Sequence, residues 1–87
     1  MPRILIVEDE PDIALGLEKD LARHGYDVRT VGDGDEALRL ASEEAWDLML
    51  LDVMLPKKDG FAVCQELREA GLQLPIIMLT AKTHEAE

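Results

Sequence analysis

Eighty-seven residues leave room for one domain, and an apolar fraction of 47% supports an ordinary globular core with no segment long and apolar enough to cross a bilayer. The lone cysteine, Cys64, cannot close an internal disulfide, which fits a reducing, cytoplasmic setting. Nineteen acidic against nine basic side chains, a net charge of −10, repel phosphate backbones and argue against direct DNA or RNA binding by this chain.

The chain opens on Ile4-Leu5-Ile6-Val7, an apolar run that Glu8, Asp9 and Glu10 end well short of a signal-peptide core. Such an unbroken run suits a strand covered on both faces, as in a parallel sheet. Pro11 then fits a first helical turn and Gly25 a helix end, with Ala14, Leu17 and Leu21 sharing one face. Ile13 lies at the rim of that stripe. Val28-Arg29-Thr30-Val31 is more mixed and better fits an edge strand.

Asp33 with Glu36 has the spacing of a capping box, and Ala37, Leu38, Ala41 and Ala45 form the expected buried stripe of a second helix. Trp46 precedes a second fully apolar run, Leu48–Leu51, and is expected to pack rather than bind. Lys57-Lys58 reads as a solvated turn. Asp59 opens a third helix in which Val63, Cys64 and Leu67 face inward, and Gly71 closes it. Cys64 there is a small buried hydrophobe, and His24 and His84 lack companions at ligand spacing. Ile76-Ile77-Met78-Leu79 is a last strand. The order βαβαβαβ predicts an α/β fold with a doubly wound parallel sheet.

That last strand has a central strand's composition, yet only seven residues follow Thr80. An uncovered apolar edge invites pairing with another chain. The expectation is therefore a domain spanning residues 1–87, truncated before a fifth strand. A homo-oligomer follows from that, most simply a two-fold dimer joined through the fourth strand, its tail or an exchanged element.

In a parallel sheet, ligands bind beyond the carboxyl ends of the strands, near the switch in strand order. Glu8 and Asp9 follow the first strand, Asp52 the third and Thr80 the fourth. Three carboxylates would converge there, and two unit charges about 4 Å apart repel by roughly 4 kcal/mol at an effective dielectric near 20. Either one carboxyl stays protonated or a dication sits among them. Mg²⁺ fits a few carboxylates completed by water and phosphate oxygens, and the Thr80 hydroxyl can hold a phosphoryl oxygen.

The motifs Ile4-Leu5-Ile6-Val7-Glu8-Asp9-Glu10, Leu50-Leu51-Asp52-Val53-Met54-Leu55-Pro56 with Asp59-Gly60, and Leu79-Thr80-Ala81 closely resemble response-regulator receiver domains. The resemblance covers the whole chain and implies a flavodoxin-like sheet with strand order 2-1-3-4. It further implies that Asp52 is the phosphoacceptor, that Glu8, Asp9, Asp52 and the backbone carbonyl of Met54 bind Mg²⁺, and that Thr80 is the switch hydroxyl. The implied partner is a sensor histidine kinase, and the implied output a DNA-binding domain outside this chain. The stretch Leu55–Phe61 is most similar to the winged-helix subfamily. The family's fifth-strand lysine and aromatic switch residue have no counterpart among these residues, and Lys82 is not equivalent.

The domain would take part in its own phosphorylation without being an independent enzyme. A haloacid-dehalogenase-like phosphatase would need an aspartate where Met54 stands. A flavodoxin would need a phosphate cradle where Glu8 and Asp9 stand. A receiver-like interaction module that is not phosphorylated is the remaining alternative.

Overall fold

The computed structural model describes residues 1–79. Strands β1 (Arg3–Val7), β2 (Asp27–Val31), β3 (Leu48–Asp52) and β4 (Ile76–Leu79) alternate with helices α1 (Pro11–Arg23), α2 (Gly34–Glu43) and α3 (Gly60–Glu69). All neighbouring strands are parallel, in the order β2-β1-β3-β4. The sheet is thus the expected doubly wound one. The mixed strand β2 lies at one edge, and no helix among the described residues is long and apolar enough to cross a membrane.

Alternation along the strands builds two cores. Leu5, Val7, Met49 and Leu51 point to one face and are covered by Ala37, Leu40 and Ala41 of α2 with Val63 and Leu67 of α3. Ile4, Ile6 and Leu50 point to the other, where Leu17 and Leu21 of α1 cover them. Ile4–Val7 of β1 and Leu48–Leu51 of β3 are therefore unbroken apolar runs, because both faces of these strands are covered. β4 is the outermost described strand. Ile76 and Met78 pack on the first core, whereas Ile77 on the opposite face is 51% exposed. The expectation of a strand buried on both faces fails at Ile77, since α1 lies across β1 and β2, although Leu79 on the same face packs against the second core.

Helix ends follow local chemistry. Asp33 and Asp59 accept the backbone N–H groups of Glu36 and Ala62 at 2.8 and 2.9 Å, satisfying first-turn donors. The capping box at α2 is half made, because the Glu36 carboxylate turns to Arg39. α1 ends as its Gly25 demanded: at φ 92°, Gly25 donates to Ala22 and Tyr26 donates to Leu21, the paired bonds of a Schellman motif. Gly71 at φ 85° repeats the pattern through Arg68 and Leu67 at the end of α3.

Two packing expectations need correction. α2 stops at Glu43, so Ala45 lies outside it and is exposed. Leu40 takes the inward position instead, and Leu38 is only half-buried. Trp46 does pack: its Nε1–H donates to the Leu40 carbonyl and its ring lies 4.2 Å beneath the Arg3 guanidinium.

Candidate functional site

Sheet register brings the acids together. Val7 pairs with Leu51, so Glu8, the next residue after β1, emerges level with Asp52 at the end of β3. Both runs are apolar up to that point, so the first polar residue of each strand appears at the same height. Asp52 in turn pairs with Leu79 on β4. Thr80, the next residue, lies outside the described residues, as do Lys82 and His84.

Carboxylate oxygens of Glu8, Asp9 and Asp52 all lie within 4.8 Å of one another. Glu8 is 3% exposed and Asp52 1%, whereas Asp9 faces solvent. Two buried carboxylates and an exposed third are unfavourable without a compensating cation or proton. The oxygen-only donor set and its open side suit a hard divalent ion that keeps several waters. The fit to Mg²⁺ is good.

Backbone donors hold two of these side chains. The Glu10 N–H donates to Glu8 Oε2 at 3.0 Å, and the Met54 N–H donates to Asp52 Oδ1 at 3.0 Å. Each carboxylate accepts from the backbone two residues forward, an Asx-type bond at Asp52 and its longer glutamate counterpart at Glu8, available because the chain turns immediately after the strand. The Glu8 N–H also donates to Val31 at 3.0 Å, tying the acidic turn to β2.

Behind the site, Gly60 starts α3 against the end of β3. Its N–H donates to Val53 at 2.8 Å, and a Cβ there would lie 2.6 Å from the Asp52 carbonyl oxygen and 2.9 Å from Val53 Cα. Glycine is the residue that permits this approach. The Asp59-Gly60 pair at a helix start was visible in the sequence, but its backbone neighbour was not.

Lys58 departs from the expected solvated turn. Its ammonium lies 2.7 Å from Glu66 and 3.1 Å from Asp35, and these partners raise its pKa, the Glu66 hydrogen bond most. Lys57 is exposed, as expected, and adopts φ 68°. At the opposite end of the sheet a cleft of about 300 Å³ is lined by Ala41, Ala45, Trp46, Leu72 and Pro75 among others. Its one carboxylate, Glu44, is engaged by Arg3 and Arg29, so it lacks the acidic set that marks the other end.

The response regulator receiver domain family matches residues 4–87. The chain is 54% identical over 83 residues to the alkaline phosphatase synthesis transcriptional regulatory protein PhoP of Bacillus subtilis, covering 95% of this chain and 35% of PhoP. It thus spans about a third of the length of that relative. Response regulator TrrA of Thermotoga maritima, solved with Mg²⁺-BeF, matches with a TM-score of 0.89 at 38% identity over 99% of this chain and 75% of that one. The same regulator in complex with histidine kinase ThkA matches with a TM-score of 0.88, covering 100% of this chain and 75% of that one. With the acids, the sheet order and the family match in agreement, the chain belongs to the response regulator receiver domain family.

Proposed function

We propose that this chain is the phosphoacceptor module of a two-component response regulator, in which Asp52 takes a phosphoryl group from a phosphohistidine on a sensor histidine kinase. The observation that carries this reading is the level emergence of Glu8 and Asp52, with Asp9 beside them, so that three carboxylate oxygens lie within 4.8 Å. Glu8, Asp9, Asp52 and the backbone carbonyl of Met54 would hold Mg²⁺. Bound there, the ion would neutralise the carboxylates and the charge on the incoming phosphoryl oxygens.

The chain's own part is positioning. The Met54 N–H orients the Asp52 carboxylate. One Asp52 oxygen forms a bond to phosphorus as the P–N bond breaks, and the electron pair returns to the departing imidazole. The strand-end burial of Asp52 fixes its line of attack, and the exposed Asp9 leaves the approach open. Thr80 is assigned the switch hydroxyl on the strength of its place next to Leu79, the β4 partner of Asp52.

The output is proposed to be transcriptional, through residues beyond those of this module, since PhoP and the Streptococcus agalactiae relative DltR are named transcriptional regulators. The setting is proposed to be cytoplasmic. We also propose a self-association through β4, supported by its outermost position among the described strands and the exposed Ile77.

The test is incubation with acetyl phosphate and Mg²⁺, followed by intact-protein mass measurement in acid. A gain of one phosphoryl group is expected in the wild type, and none in Asp52→Asn or in the presence of a chelator. Labelling of Asp52→Asn equal to wild type would assign the nucleophile elsewhere.

A further inference from the structure

The β3–α3 loop, residues 53–59, carries the Met54 backbone to the metal site without regular secondary structure of its own. Its course is tight: Lys57 lies at φ 68°, and the Lys58 N–H donates to Pro56 at 2.6 Å. Leu55 anchors the first half of the loop in the core and the Asp59 cap anchors its end. Between them, Lys58 reaches out of the loop to two helices at once.

Its ammonium bridges Asp35 in the first turn of α2 and Glu66 in the middle of α3. The Lys58 side chain is 25% exposed, against 71% for Asp35 and 45% for Glu66, so its stem is laid into the junction rather than extended into water. That junction is close-packed. A Cβ on Gly34 would lie 2.6 Å from Val63 Cγ2, 3.4 Å from the Lys58 carbonyl oxygen and 3.5 Å from Lys58 Cβ. The lysine thus ties the loop to the point where α2 and α3 meet.

We propose that Lys58 is a positioning residue for the metal site, pinning the β3–α3 loop so that the Met54 carbonyl is held where it completes the cation's ligands. The inference rests on the phosphoacceptor reading above. Positioning and simple charge have opposite signs here. A lysine acting only through its charge repels a dication, and its removal would tighten Mg²⁺ binding. A lysine that fixes a ligand does the reverse. Ion identity adds a second discriminant, because Mg²⁺ demands near-ideal octahedral geometry whereas Ca²⁺ accepts irregular oxygen shells.

The experiment is calorimetric titration of the folded chain with Mg²⁺ and with Ca²⁺, in wild type, Lys58→Met and Lys58→Arg. Methionine keeps the apolar stem and removes the tie, and circular dichroism confirms that each variant is folded. Lys58→Met is expected to bind Mg²⁺ about threefold more weakly, the scale of one partly exposed ion-pair network. Ca²⁺ affinity should change less, and Lys58→Arg should restore Mg²⁺ binding. Equal or tighter Mg²⁺ binding by Lys58→Met would overturn the positioning role, and equal losses for both ions would reduce it to general loosening and overturn it too. Wild-type protein that bound no Mg²⁺ would overturn the phosphoacceptor reading itself, and the role of Lys58 with it.

Discussion

Gly60 is the glycine at which an added Cβ would meet backbone most closely. An alanine Cβ there would press on the backbone of Asp52 and Val53 at 2.6 and 2.9 Å, and backbone at the end of a buried strand cannot yield cheaply. Gly60→Ala is expected to cost about 2–3 kcal/mol. Gly16, in mid-α1 with open space around its Cα, is the contrast. Gly16→Ala should stabilise by about 0.5–1 kcal/mol, because alanine loses less backbone entropy in a helix. Urea unfolding of the two variants checks both signs, and a neutral Gly60→Ala would contradict the close approach. The clustered acids were legible because Glu8 and Asp52 are each the first polar residue after an apolar run, with Asp9 next to Glu8. Lys58 was not, since a charge in a polar turn has the same sequence signature whether it is solvated or spans two helices. The partners that distinguish the cases, Asp35 and Glu66, are remote in sequence.

Among the elements, the start of β1 and the end of α2 are joined by charge. Arg3 hydrogen-bonds Glu44 at 2.7 Å and stacks on Trp46, while Arg29 approaches the same carboxylate at 3.5 Å. The hydrogen bond from Arg3 holds the Glu44 carboxyl below its ordinary range against the opposing effect of desolvation, with Arg29 adding attraction. A carboxyl depressed on folding contributes stability above its unfolded pKa and loses it as pH falls through the lower folded value. The stability gap between wild type and Glu44→Gln should therefore be fully open at neutral pH. It should begin to close near the unfolded glutamate pKa of about 4.3 and vanish below the folded one. Urea titrations followed by Trp46 fluorescence measure it, and a gap unchanged in acid would contradict the pairing. Trp46 suits this use and not metal binding. It precedes β3, whereas the acids follow β1 and β3, and a five-residue strand separates the two ends by roughly 16 Å. Caps and glycine stops were readable here because they are local bonds. The α2 stripe was read one turn too far, because Ala45 continues the periodicity past a helix that Glu44 ends in extended conformation.

At the scale of the whole molecule, the doubly wound parallel sheet followed from the alternation of apolar runs with capped amphipathic segments, whereas the strand order 2-1-3-4 came from the resemblance to receiver domains. The covering of each strand followed from neither, because it depends on how far one helix reaches across a sheet. α1 serves β1 and β2, and leaves Ile77 of β4 half in water. The self-association proposed through β4, the outermost of the described strands with Ile77 exposed, is opposed by a net charge of −10 per chain. Self-association should therefore strengthen with salt and weaken in Ile77→Lys, as sedimentation velocity at micromolar concentration would register. A monomer at every salt concentration would exclude it. Whether Glu8, Asp9 and Asp52 form one Mg²⁺-dependent phosphoacceptor site is decided with beryllium fluoride, which binds an aspartate oxygen as a phosphoryl group would. Fluorine NMR should show bound fluoride signals in the wild type only when Mg²⁺ is present, and none in Asp52→Asn. Bound signals without Mg²⁺, or signals that survive in Asp52→Asn, would show that these acids do not form such a site.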